Sequence, residues 1–357
     1  MFRPFFGRLL LCGLCLFNLL SCHPVEPYQT ERFDLIGASA AAEGYPMEVV
    51  AGRFLTSDGK GIPLGAEFLE GDWGVALGSM VSGDGTAPAP EGLEICWYSY
   101  PEDKFYEGRF ALPQRKIYDL LKQGFWDRDD KKHDTYHTLT LCLLPTGVAV
   151  VWLSGRNQVL IGRYQAHAIA YDFKRFNEAA NRPLMVAQER AKMPAHVQEE
   201  IRAGTLSPKQ WDTYLKTYPW RVEAVMQDGN AWQPLALYDY YARYRNAEKA
   251  SYPVALDKAS TARYRKAILE PTPKPVPKSF GLFVENPYGE KHQIRVDPFD
   301  EAETRAAFQA LAARHPTEPM VLRVEVDKFY TKYRLTLSNG FQTLPLDKAV
   351  VKSFEED

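Results

Sequence analysis

The chain has 357 residues, of which 45% are hydrophobic, 25% charged and 13% aromatic, and its net charge is −2 at pH 7. The length suits about two domains, and the composition supports a packed core, which excludes a disordered chain. Without a basic excess a mainly electrostatic nucleic-acid binder is excluded, and a single long apolar run excludes a multi-span membrane protein.

That run comes first. Arg3 and Arg8 precede the apolar stretch Leu9–Leu20, which is broken only by Gly13 and Asn18. It falls short of the roughly 20 residues a bilayer requires but matches the core of a secretory signal. It ends in Leu19-Leu20-Ser21-Cys22, which is similar to a bacterial lipobox. The similarity implies removal of residues 1–21 and acylation of Cys22, and two or more acyl chains hold a protein on a membrane. His23, where an Asp would favour the inner membrane, points to the outer membrane facing the periplasm. Residues 22–45, polar and Ala/Gly-rich, read as a lipid-anchored tether. Cys12 and Cys15 leave with the signal. Cys96 and Cys142 remain, both in strand-like segments, and an oxidising compartment allows them a disulfide.

Residues 46–111 carry short apolar runs (MEVVAGRFL, LEICWYSY, KFYEGRFAL) separated by turn-rich pieces, a strand signature. A helix is expected over 113–123, with Ile117, Tyr118, Leu120 and Leu121 on one face and Gly124 at its end. Two apolar strands should meet at Pro145-Thr146-Gly147, and VLIGRYQAHAIAYDF continues the strand character. Two helical pieces divided near Pro194 fill 182–203. Ser207-Pro208-Lys209-Gln210 reads as a capping box. Leu237, Tyr240, Tyr241 and Tyr244 recur at helical spacing, which predicts a helix over 235–247 with Tyr238 and Arg245 exposed as a candidate binding surface. PTPKPVPK (271–278) reads as a stiff linker. Beyond it, 279–357 reads strand, helix, strand, strand, with Asp297-Pro298 opening the helix 298–314.

Two stretches carry a family resemblance. One joins GLEICWYSYPEDKFYEGRFALPQRKIYDLLKQG (92–124) to LLPTGVAVVWLSGRNQVLIGRYQAH (143–167). The other is SPKQWDTYLKTYPWRVE (207–223). Over about residues 46–240 the chain resembles bacterial envelope lipoproteins of domain of unknown function 2931. The resemblance implies an envelope lipoprotein without assigned catalytic residues. Some relatives are encoded beside toxins of the type VI secretion system, which implies a candidate immunity protein.

The chemistry-bearing residues show no strong constellation. His133 and His137 are four apart but run into the strand-like TLTLCL, where such spacing does not converge on a metal. His167 follows a strand and reads as a core or rim histidine. The acidic run 126–130 lacks the spacing of a calcium loop. No nucleophile elbow or phosphate-cradling glycine motif occurs. The expected fold is α+β: a mostly antiparallel sheet core with inserted helices over 46–270, then a small module over 279–357. The expected function is a membrane-anchored, non-enzymatic binding protein with no cofactor, whose partners are the membrane and a protein such as a toxin. The competing readings are an envelope hydrolase or carbohydrate-active enzyme, and a structural lipoprotein.

Overall fold

The turn Pro145-Thr146-Gly147 folds two apolar strands, Thr138–Leu144 and Val148–Ser154, onto each other in antiparallel register. Every residue of the second is buried, the pattern of a strand covered on both faces. In the computed structural model, which describes residues 26–355 apart from 77, 82, 128, 129, 131, 254–261, 263 and 264, this pair sits within a ten-stranded sheet. The order across that sheet is Val351–Glu355, Lys291–Val296, Pro277–Glu285, Ala236–Tyr244, Lys249–Pro253, Gln158–Gln165, Val148–Ser154, Thr138–Leu144, Ile36–Ala41 and Gly78–Met80. Its two halves meet at one residue pair, Gln158 opposite Lys249.

A six-stranded sheet shares a core with each half. The first contains Met47–Leu55, Gly92–Ser99 and Lys104–Ala111, and its core runs from Leu35 to Trp211. The second is built on Thr217–Asp228, Met320–Asp327 and Tyr333–Ser338, and its core runs from Tyr218 to Leu346. Most pairings are antiparallel. Thr138–Leu144 with Ile36–Ala41, and Thr217–Asp228 with Met320–Asp327, are parallel. The fold is α+β and sheet-rich.

Most of the expected helices form. Gln114–Gln123 buries Ile117 and Leu121 and ends at Gly124. Arg182–Lys192 and Ala195–Ala203 flank Pro194, and Gly204 closes the second in a left-handed conformation. In Lys209–Tyr214 the capping box is incomplete: Ser207 Oγ accepts from Lys209 N, but Gln210 donates to Tyr214 Oη instead of reaching back. The last helix spans Glu301–Arg314, with Asp300 as its cap.

Four expectations are corrected. The segment 235–247 is not a helix. Ala236–Tyr244 is a strand paired with Lys249–Pro253 and Pro277–Glu285. Tyr240, Ala242 and Tyr244 are buried at period two, and aromatic residues favour a pleated surface. Residues 22–45 do not form a long tether, because Ile36–Ala41 is an inner strand of the large sheet. Its small residues permit close approach: a Cβ on Gly37 would meet the Pro63 carbonyl oxygen at 2.3 Å. The stretch 271–278 is not a free linker. Thr272–Pro275 pairs with Thr217–Trp220, and residues 274–277 are buried. The cores change near residue 217 instead. Residues 279–357 are not a separate module, since their strands divide between two sheets that also hold 217–244. Residues 1–21 and Cys22 lie outside the described residues.

Candidate functional site

Side chains of the first core grip a turn of the second. Trp73 Nε1 donates to the Arg245 carbonyl at 2.9 Å, and Trp152 Nε1 to the Asn246 carbonyl at 3.0 Å. Gln158 Nε2 donates to the carbonyls of Gly74 and Ala247, both at 2.9 Å. The approach is so close that a Cβ on Gly74 would lie 2.3 Å from that of Ala247. Gly74 also has φ +71°, a conformation other residues adopt at a cost.

Beside this clamp is a cleft of about 400 Å³. Tyr45, Trp73, Trp211 and Tyr214 supply its aromatic wall from the first core, and Arg245 and Glu301 close it from the second. Trp211 packs edge-on to Tyr45 with ring centres 5.1 Å apart. Glu301, in the first turn of its helix, accepts from Tyr214 Oη at 2.8 Å and from Arg245 Nη1 at 3.2 Å. Arg245 Nη2 donates to the Phe299 carbonyl at 2.7 Å. Tyr45 Oη donates to Glu200 at 2.8 Å, and burial together with that carboxylate holds its pKa well above the usual phenol value. Burial raises Tyr214 too, with Glu301 adding to the effect. These groups hold one another in place. Glu43, Asp72, His196 and Lys278 complete the cleft's lining with charged and titratable groups.

Arg245 therefore belongs to this site, though its side chain is only 13% exposed and ion-paired rather than free on the surface. Tyr238 does not. It packs near Phe283, with Lys291 Nζ 5.6 Å from its ring centre. Cys96 and Cys142 are both buried and unbridged. Cys142 lies near Gly74 and Asp72 on the large sheet, whereas Cys96 lies near Glu107 on the other. Burial pushes Cys96 to about 11 and Cys142 to about 12. His133 Nε2 hydrogen-bonds with the Gln123 carbonyl and His137 Nδ1 with Thr138 Oγ1, so the pair does not converge. His167 is exposed on the edge strand His167–Ile169. No group of three His, Cys, Asp or Glu suited to a metal occurs among the described residues. Of the acidic run, residues 128 and 129 lie outside them.

The sequence motif WYSYPEDKFYEG acts through packing. Its turn brings Glu102 to accept from Ser99 Oγ, Tyr106 Oη and Thr146 N. Tyr98 donates to Asp103, which Arg182 also binds at 2.7 Å. Sequence reasoning missed Tyr45, Trp73 and Glu301 as cleft residues. Its usable signals were Arg245 in the Tyr-rich segment and Trp211 and Tyr214 on one helical face within the second motif.

No curated protein and no solved structure matches the chain. A family model described as "Protein of unknown function (DUF2931)" matches residues 23–217, more than half of the chain. The match ends where the first core gives way to the second, and the cleft lies across that boundary. The chain belongs to this DUF2931 family.

Proposed function

We propose that the chain is a lipid-anchored protein of the bacterial envelope that acts by binding a protein partner, and that the partner is a toxin it neutralises. The anchor is Cys22, whose surrounding sequence supports acylation. The observation carrying the binding reading is the junction cleft. Its aromatic wall and its interlocked Tyr214–Glu301–Arg245 group form a pre-set surface, and aromatic and Arg side chains are the usual anchors of protein interfaces.

The test combines fractionation with protection. Cys22→Ser should release the protein from membranes after a salt wash while its circular dichroism spectrum stays unchanged. Co-expression with a toxin encoded beside it should restore growth. Trp73→Ala and Tyr214→Ala should each weaken toxin binding at least tenfold. A wild-type chain that neither binds nor protects would remove the toxin reading. A folded His167→Ala variant that binds but no longer protects would point to turnover instead.

A further inference from the structure

The second half of the ten-stranded sheet buries one face in its core. On its other face lies a groove of about 590 Å³. Arg156, Arg243, Lys249 and Arg295 line it, against a single carboxylate, Asp127. Asp127 is taken by Arg156 at 2.8 Å. No ion pair engages Arg243, Lys249 or Arg295 among the described residues, although the chain as a whole carries more acids than bases.

The pairing register makes this more than a scatter of surface charge. Arg243 stands directly opposite Lys249 on the adjacent strand, so the two share a face. Like charges opposed in this way destabilise a sheet. The neighbouring row sets Ser251, Tyr241, Gly281 and Arg295 side by side across four strands. The Tyr241 ring occupies the space over Gly281, where a Cβ would come within 2.3 Å of it. Arg295 leans on the Phe354 ring at 5.0 Å, and its buried Nε has no partner. Burial and the facing Arg243 both lower the Lys249 pKa, the direction expected of a cation lacking an anion. Neutral donors complete the lining: the Ser251 hydroxyl and the Asn157 amide.

We propose that this groove is a binding site for a ligand bearing two or more phosphate groups. Guanidinium forks match phosphate oxygens in pairs, and two arginines and a lysine without an ion-paired carboxylate supply the charge for more than one phosphate. The volume lies in the range of small-ligand sites. This site stands apart from the junction cleft, and its assignment does not depend on the toxin reading.

The experiment uses the full-length chain carrying Cys22→Ser, so that no acyl group contributes. Sodium tripolyphosphate is titrated at constant ionic strength, with sodium sulfate as reference, and sedimentation with phosphatidylglycerol vesicles runs in parallel. Saturable binding of tripolyphosphate with a rise in Tm beyond that of sulfate supports a free phosphate ligand. Sedimentation with vesicles but no tripolyphosphate binding assigns the phosphates to lipid headgroups. Arg243→Gln/Arg295→Gln should weaken whichever binding occurs at least tenfold, while Lys328→Gln leaves it unchanged. Without ligand, Lys249→Gln should have a Tm equal to or above that of the parent, because it removes an opposed like charge. The proposal is overturned if neither probe binds, if sulfate matches tripolyphosphate, or if the double variant, folded by circular dichroism, binds like the parent.

Discussion

The two halves of the ten-stranded sheet are built differently. In the first half, Leu139–Leu144 and Val148–Ser154 are buried residue after residue. In the second, residues 279–284 of the strand Pro277–Glu285 are also buried throughout, but its neighbours Ala236–Tyr244 and Lys291–Val296 bury mainly one side, leaving Tyr241, Arg243 and Arg295 on the other. A strand covered on both faces has no surface left for a ligand. A strand covered on one face can hold the core with alternate residues and present chemistry with the rest. The cleft and the groove follow this division. One lies where the two cores meet, and the other on the uncovered face.

The comparison can be broken most directly at Trp152, which is fully buried and also holds the Asn246 carbonyl. Trp152→Ala should cost about 3–5 kcal/mol in urea denaturation, the usual range for an aromatic removed from a core. A loss below 1 kcal/mol would show that the first half tolerates open space. Gly74→Ala strikes the clamp without touching either core's interior. Its left-handed backbone and the contact with Ala247 predict a loss of about 1–3 kcal/mol. Tm values of this variant at several denaturant concentrations would check it.

A third variant sharpens the comparison through pH. Lys274 Nζ sits 5.2 Å from the centre of the Trp220 ring, and burial brings its pKa from 10.5 to about 8. Between those two values the unfolded chain holds the proton and the folded chain does not, so the contribution of Lys274 to stability rises with pH from 8 towards 10. Cys96 and Cys142 act in the opposite sense from about pH 9, and buried tyrosines such as Tyr240 above pH 10, because they keep protons that the unfolded chain loses. The stability of the parent relative to Lys274→Met should therefore increase from pH 7.5 through 8.5 to 9.5 in chemical denaturation, and a difference that stays flat would refute the buried-lysine account. The smallest effect belongs to the uncovered face. Tyr241→Ala should change stability by about 1 kcal/mol or less by the same assay, since that ring is partly exposed. A loss comparable to that of Trp152→Ala would mean that the second half is covered as fully as the first.

Where local physics decides, the sequence is readable. Gly204 ends a helix in the left-handed region, Pro145-Thr146-Gly147 turns one strand into the next, and MVLRVEV alternates in the sheet as its pattern implies. Where two periods fit the same residues, it is not. Tyr240 and Tyr244 are four apart, which places them on one face of a helix or of a strand, and only the partners Tyr252 and Leu282 decide. PTPKPVPK looks like a linker because prolines cannot donate. Yet Thr272–Pro275 pairs on the side of a strand where Trp220 Nε1 reaches the Lys274 and Pro275 carbonyls, and an edge position tolerates missing donors. The cleft was out of reach for another reason. Tyr45, Trp73, Trp211, Arg245 and Glu301 come from five distant segments, and no spacing records their convergence.

The inner position of Ile36–Ala41 changes how far the protein can act from a membrane. The turn Pro27–Thr30 is followed by Glu31, which is held by Tyr118 and Lys122 on the helix Gln114–Gln123. In the lipid-anchored form proposed above, only the four residues between Cys22 and Pro27 separate the acyl chains from the folded body, a leash of at most about 17 Å when fully stretched. Such a leash is shorter than the body it holds. The protein would patrol the bilayer surface rather than the periplasmic space, and a partner would be met only as it arrives at or leaves the membrane.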